Sequence, residues 1–166
     1  MVYLKDRKEL AELLSKYKVG VEVGVLKGSY SRLLLQANPS LKFYAVDSWG
    51  IGETKMKDYH LRMYEIAKRR LKKYDVVFIH KLSMDAVKDF ADESLDFVYI
   101  DANHKPKFVE EDIREWSKKV RKGGVISGHD YIGDIAKIVD NYAQINKLEV
   151  NLTCTIDEGI SWFLNK

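Results

Sequence analysis

Short apolar runs and segments of helical periodicity alternate along this chain. Five apolar runs are each followed by a helical pattern, and they lie at residues 19–23, 43–46, 76–79, 97–100 and 125–127. This alternation predicts a mainly parallel sheet with helices on both of its faces. Because the chain has 166 residues and no linker divides it, we expect a single domain over residues 1–166.

The C-terminal part of the chain breaks this alternation. Residues 149–155 and 160–164 form two further apolar runs with no helix-length segment between them. Such runs are expected to form an antiparallel pair at one edge of the sheet. The expected fold is therefore a Rossmann-like, doubly wound α/β domain with a seven-stranded mixed sheet and an antiparallel C-terminal strand pair.

Local sequence also predicts where some helices lie. The chain is expected to open with an amphipathic helix that carries Leu10 and Leu14. A short helix is expected over residues 85–90. Glycines 123–124 are expected to end the helix that follows Pro106, because glycine is common just after a helix C-terminus.

Charge and hydropathy narrow the class of partner. The 28 basic and 25 acidic residues give a net charge of +3, which is too mild to argue for nucleic-acid binding. The sequence contains no apolar stretch of membrane-spanning length and opens without a signal-peptide pattern. A single cysteine, Cys154, cannot form an intrachain disulfide. We expect a cytoplasmic protein that acts on a small molecule, without nucleic-acid or membrane partners.

The first strand-to-helix turn carries a glycine pattern. Glu22, Gly24 and Gly28 follow one another where the first strand ends, and Ser29 begins the next helix. Glycine allows a tight turn and lets a ligand approach the backbone closely. Glu22 suits an amine or a hydroxyl better than a pyrophosphate. Two glycines in an ordinary turn give the same pattern, but this one resembles the E-x-G-x-x-x-G motif of S-adenosylmethionine-dependent methyltransferases.

Residues after the next two strands extend this predicted cofactor site. Asp47 ends the second strand, where a carboxylate can bind both hydroxyls of a ribose. Trp49 either stacks on adenine or packs within the protein. Ser83 and Met84 follow the third strand, where the enzymes that this chain resembles contact adenine, although Ser83 also suits a helix N-cap. A dinucleotide-binding turn would normally show G-x-G-x-x-G, so S-adenosylmethionine is the better fit.

Two polar clusters follow the fourth and fifth strands, at one edge of the predicted sheet. Asp101, His129 and Asp130 offer two carboxylates and an imidazole, a set that suits one Mg²⁺ or Mn²⁺ ion. A bound cation would lower the pKa of an acceptor hydroxyl. His104 lies three residues beyond Asp101 and is a candidate general base, because imidazole titrates near neutrality. The alternative is an ordinary surface histidine.

The segment from Asp96 to Tyr131 strengthens the family resemblance. Its runs D-F-V-Y-I-D-A-N-H and K-K-V-R-K-G-G-V-I-S-G-H-D-Y resemble small class I methyltransferases often found beside antibiotic- and sugar-modifying enzymes. More distantly they are similar to the metal-dependent catechol-type O-methyltransferases. In that type, an Asp after strand four and an Asp-Asn pair after strand five hold the metal, and a Lys three residues past the first Asp is the base.

The resemblance assigns these roles to positions 101, 129–130 and 104. Here His129 replaces Asp, Asp130 replaces Asn and His104 replaces Lys. The resemblance therefore implies Asp101, His129 and Asp130 as metal ligands, Asp101 and His104 as catalytic residues, and Asp101 as a further cofactor contact. A metal-free reading, with His129 or Asp130 acting directly on the substrate, remains open.

The implied activity is methylation of a small hydroxylated metabolite, such as a sugar, a phenol or a polyketide-like compound. The compact chain leaves a substrate cap to be supplied by a second subunit, so a homodimer is expected. Two other classes remain open: an NAD-dependent oxidoreductase, and a non-catalytic nucleotide-binding module in which His104 and His129 are incidental.

Overall fold

A computed structural model of the chain describes residues 2–52, 55–155 and 159–166. These residues form one eight-stranded sheet, six α-helices and a 3-10 turn at Val87–Asp89. The strands are β1 Tyr3–Leu4, β2 Val19–Val23, β3 Lys42–Asp47, β4 Val76–His80, β5 Leu95–Ile100, β6 Val120–Gly128, β7 Val150–Thr153 and β8 Trp162–Asn165. The helices are α1 Arg7–Leu14, α2 Ser29–Ala37, α3 Lys57–Leu71, α4 Ser83–Ala86, α5 Pro106–Lys119 and α6 Gly133–Asn146.

The strand order is β1-β7-β8-β6-β5-β2-β3-β4. Strand β2 pairs in parallel with both β3 and β5, so the chain reverses its direction of travel across the sheet at β2. Strand β8 is antiparallel to both β6 and β7. The doubly wound mixed sheet and the antiparallel C-terminal pair are therefore confirmed.

Eight strands are present where seven were expected. The additional strand is β1, whose residues Tyr3 and Leu4 pair in parallel with Leu152 and Thr153 of β7. Two residues are too short for a periodic pattern, so the strand could not be read from the sequence. It covers the outer side of β7, which leaves the predicted C-terminal pair one position inside the edge.

The prediction that glycines 123–124 end a helix is wrong. Helix α5 ends at Lys119, and the chain enters β6 directly at Val120. The pairing of β6 with β5 shifts register between Leu95 and Phe97, and the two glycines lie in this irregular part of the strand. The short helix also begins at Ser83 instead of residue 85.

Apolar side chains fill both faces of the sheet. On one face they come from α1, α2 and α3, and on the other from α4, α5 and α6. Helix α5 shows how the sequence produces this arrangement: Val109, Ile113 and Trp116 recur at helical spacing and are buried, while Pro106 occupies its first turn. Within the described ranges, no helix is long and apolar enough to cross a membrane.

Candidate active site

A cavity of about 660 Å³ opens at the carboxyl ends of the central strands. Its lining includes Gly24 after β2, Asp47 at the end of β3, Lys81 after β4 and Asp101 after β5. This is where the strand order reverses, the usual ligand position in open α/β sheets. The volume is typical of cavities that bind cofactors and small molecules.

The glycine turn forms the floor of this cavity. Gly24 has a φ of +96°, and a Cβ atom there would overlap the carbonyl oxygen of Asp101. Gly28 has a φ of +70° and precedes α2 as its N-cap. Backbone therefore lies against backbone at Gly24, a close approach that only glycine allows.

Asp47 is oriented by two backbone N–H groups. Leu26 donates to Oδ2 and Trp49 donates to Oδ1, each at 2.7 Å. A carboxylate has about four lone-pair positions, so each oxygen can still accept a further hydrogen bond from the cavity. This arrangement suits a pair of ribose hydroxyls.

Trp49 packs inside the protein and does not line the cavity. The residue is 1% exposed, and its ring contacts Tyr64, Phe78 and His80. Its indole N–H donates to the carbonyl of Leu26 at 2.8 Å. The expectation that Trp49 stacks on adenine is not supported, because the neighbouring rings enclose the indole.

The other predicted cofactor contacts line the cavity, as Asp47 and Gly24 do, except Gly28. Ser29 accepts a hydrogen bond from Arg70 at 2.8 Å. Ser83 and Met84 lie at the start of α4, but the N-cap of that helix is Leu82. Ser83 is therefore not the N-cap, and its hydroxyl serves a different partner, the carboxylate of Asp112.

Glu22 is a buried acid on the cavity wall. It is 2% exposed and accepts a hydrogen bond from the hydroxyl of Ser31. Burial raises the pKa of Glu22 from 4.5 to about 8, against the opposing effect of the Ser31 hydrogen bond. A cationic ligand group beside this carboxyl would favour its ionised form.

The two polar clusters meet at the mouth of the cavity. Nε2 of His104 lies 2.8 Å from Oδ2 of Asp130 and 3.6 Å from Oδ1 of Asp101. The carboxylates of Asp101 and Asp130 raise the pKa of His104, with Asp101 as the larger cause. The His104 side chain is 59% exposed, so a substrate can reach it from solvent.

The structure brings two histidines, His104 and His129, to the predicted metal position. One ligand atom each of Asp101, His104 and Asp130 lies within 4.8 Å of the other two. Nδ1 of His129 lies 2.9 Å from Oδ1 of Asp130 and 3.7 Å from Oδ1 of Asp101. Its Nε2 would be 2.8 Å from a Cβ at Gly159, so that side of the ring packs against backbone. The role of His129 as a metal ligand stays a prediction.

Sequence reasoning missed several residues that line the cavity. They include Arg7, Tyr30, Phe108 and Asp112. The hydroxyl of Tyr30 is buried with no hydrogen-bond partner among the described residues. Asp112 was detectable, since it shares the buried face of α5 with Val109 and Trp116 and is the charged residue on that face.

The methyltransferase domain family matches residues 21–131, which is more than half of the chain, and the chain belongs to this family. The match spans the glycine turn, Asp47 and both polar clusters. None of the curated protein sequences matches this chain significantly.

Solved structures share its fold at low sequence identity. The O-methyltransferase from Bacillus cereus, in complex with SAH, has a TM-score of 0.71 and 16% identity over 96% of this chain and 80% of that one. A precorrin-6y C5,15-methyltransferase from Geobacter metallireducens has a TM-score of 0.72 and 14% identity over 96% and 87%. TomG from Streptomyces achromogenes, an O-methyltransferase involved in tomaymycin synthesis and in complex with SAM, has a TM-score of 0.67 and 18% identity over 96% and 78%. Family and fold together confirm the predicted class I, S-adenosylmethionine-dependent methyltransferase.

Replacing Gly24 by Ala should destabilise the protein more than replacing Gly52, which shares a positive φ but has nothing within 4 Å of its Cβ position. The backbone strain common to both costs about 1–2 kcal/mol. The clash with Asp101 adds roughly 1–3 kcal/mol to the loss for Gly24→Ala alone. Urea unfolding of the two variants measures the difference, and equal losses would contradict the close approach.

Glu22→Gln should stabilise the protein increasingly as the pH rises. Between pH 4.5 and about 8 the folded protein keeps a proton on Glu22 that the unfolded chain has released, so the free energy of unfolding falls through that window. Glutamine resembles the protonated acid at every pH. Thermal unfolding in EDTA, which excludes cation binding, should show variant and wild type alike at pH 5 and separated by roughly 5–10 °C at pH 9. A constant difference across this range would contradict the raised pKa.

Proposed function

We propose that this enzyme methylates a hydroxyl oxygen of a small molecule, with His104 as the general base. The observation that carries the proposal is the position of His104. Its Nε2 lies between the carboxylates of Asp130 and Asp101, at the mouth of a cavity whose floor is the glycine turn.

The cavity offers a suitable polar or apolar residue for each part of S-adenosylmethionine: its amino group, its ribose and its base. Glu22, beside Gly24, faces the part of the cavity that would take the cationic amino group. Asp47 would bind the ribose hydroxyls, and Ser83 with Met84 would contact the base. The SAH and SAM complexes of the Bacillus and Streptomyces proteins support this choice of methyl donor.

His104 would remove the proton that the acceptor hydroxyl loses. When bound, S-adenosylmethionine supplies an electrophilic methyl group, which moves from sulfur to the acceptor oxygen and leaves S-adenosylhomocysteine. In the neutral ring, Nε2–H donates to the carboxylate of Asp130 at 2.8 Å, so Nδ1 would accept the proton. The two carboxylates then stabilise the protonated ring. Exposure of the ring then lets the proton pass to solvent.

A second candidate mechanism uses a divalent cation. Asp101, His104 and Asp130 offer two carboxylate oxygens and one nitrogen close together, a donor set that suits Mg²⁺ or Mn²⁺. The cation would lower the pKa of the acceptor hydroxyl. A neutral imidazole that binds a cation through Nε2 carries its one proton on Nδ1 and cannot accept another, so the two mechanisms exclude one another.

The acceptor that we propose is a small hydroxylated metabolite, such as a sugar, a phenol or a polyketide-like compound. The O-methyltransferases among the structural neighbours support oxygen as the acceptor atom. A cavity of about 660 Å³ has space for a cofactor together with a small acceptor.

Calorimetric titration with S-adenosylhomocysteine tests the cofactor site. We expect micromolar binding to the wild type and roughly 10- to 100-fold weaker binding to Asp47→Ala, because a hydrogen bond to a charged group contributes about 1.5–3 kcal/mol. NAD, titrated as a control, should not bind. Binding of NAD without S-adenosylhomocysteine would support an oxidoreductase, and binding of neither would reject the proposal.

His104→Asn should lower turnover by roughly 10²- to 10⁴-fold, the usual contribution of a general base, and leave S-adenosylhomocysteine affinity unchanged. Turnover is measured as S-adenosylhomocysteine formed with the best acceptor from a panel of phenols and sugars. Lys107→Gln, an exposed position that does not line the cavity, is the matched control.

The same assay after exhaustive chelation separates the two mechanisms. Full activity in EDTA would reject the cation and retain His104 as the base. Loss of activity that Mg²⁺ or Mn²⁺ restores would favour the cation. A His104→Asn variant as active as the wild type in EDTA would reject His104 as the base.

A further inference from the structure

Asp112 on α5 is a buried carboxylate that faces the cavity. It is 3% exposed and belongs to the cavity lining. Among the described residues, the hydroxyl of Ser83 is its one hydrogen-bond partner, through Oδ1. The second oxygen, Oδ2, is left for a donor that enters the cavity.

The neighbours of Ser83 fix the direction of that hydrogen bond. The indole N–H of Trp116 donates to the Ser83 hydroxyl at 2.8 Å. An indole can only donate, so the hydroxyl hydrogen of Ser83 remains for Asp112. The chain of donors runs from Trp116 through Ser83 to Asp112, and it holds the carboxylate in one orientation.

One hydrogen bond from a neutral donor offsets only part of the free energy that it costs to bury a charged carboxylate. Burial raises the pKa of Asp112 to about 6, despite the Ser83 hydrogen bond, and the group is still mostly ionised at neutral pH. An ionised group inside a protein needs further donors. A ligand that brings an N–H to Oδ2 would supply one.

The surroundings of Asp112 define the shape of that ligand. Phe108 and Asp112 are four residues apart on one face of α5, and both line the cavity. Phe108 is 40% exposed, so its ring is open to a ligand, and Met84 on α4 adds a second apolar side chain. The slot therefore suits a flat, apolar ring with a hydrogen-bond donor on its edge.

We infer that Asp112 accepts a hydrogen bond from the 6-amino group of adenine and so makes the cofactor site selective for that base. The inference rests on the proposed function, which places a nucleoside in this cavity. Strand β4 pairs with β3, with His80 beside Asp47, so the slot after β4 adjoins the predicted ribose site. Asp112 thus serves as a specificity residue for the base, apart from the reacting atoms.

Calorimetry with two ligands tests the inference. The probes are S-adenosylhomocysteine and its analogue in which hydrogen replaces the 6-amino group. Wild type should bind the parent roughly 10- to 100-fold more tightly than the analogue. Asp112→Asn, which keeps an oxygen for Ser83, should bind both with similar affinity. Glu111→Gln is the matched control, because Glu111 is the neighbouring carboxylate that also lines the cavity, and it should keep the wild-type preference.

The outcomes separate the two proposals. Equal binding of both ligands to wild type would overturn the role of Asp112 and leave the proposed function intact, and this result needs no variant to fold. A preference that persists in Asp112→Asn, or disappears in Glu111→Gln, would also overturn it. Failure of wild type to bind either ligand would reject the proposed function and the inference with it.

Discussion

The contact between the end of β2 and the end of β5 joins the glycine turn to the polar cluster that contains Asp101. Gly24 donates its N–H to Val46 at 2.8 Å, and Asp101 donates its N–H to Val23 at 2.7 Å. The turn is thus held from both neighbouring strands, and its backbone lies against the carbonyl of Asp101. Asp101 is consequently positioned by the same residues that form the floor of the cavity.

A second connection runs between the turns after β2 and β3. Asp47 receives the N–H of Leu26 from one turn, and the indole of Trp49 in the other donates to the carbonyl of Leu26. Each turn therefore fixes the other in place before a ligand arrives. Leu26 and Trp49 both have positive φ values, +49° and +35°, a conformation that costs free energy and that these hydrogen bonds offset.

The sequence predicts the secondary-structure elements of this fold well where a hydrophobic pattern extends over several residues. It predicts them poorly where contacts between distant parts of the chain determine the structure. The bounds of β2 agree with the predicted range 19–23, and α2 begins at Ser29 as predicted, because apolar spacing and flanking turn residues point the same way. Strand β1 depends on pairing with β7, which no local pattern records. The sequence left Trp49 with two equal roles, and only the surrounding rings decide between them.

The same division applies to the site. Strand ends predicted that the clusters with Asp101 and His104 and with His129 and Asp130 would face one opening, since parallel strands end at one edge. Both histidines approach the two carboxylates, and which ring nitrogen does so depends on side-chain directions that spacing does not contain. The spacing of Asp112 from Val109 and Trp116 places it on the buried face of α5, but that this face reaches the cavity depends on tertiary packing.

Gly159 packs against the ring of His129 and lies close to the carboxylate of Asp130. Gly159 lies three residues before β8, so the backbone that enters this strand borders the polar cluster. Under the proposed function, the methyl donor would instead contact the turns after β2 and β3. Substitutions beside Gly159 would then change the acceptor side of the site and leave the methyl-donor side as it is.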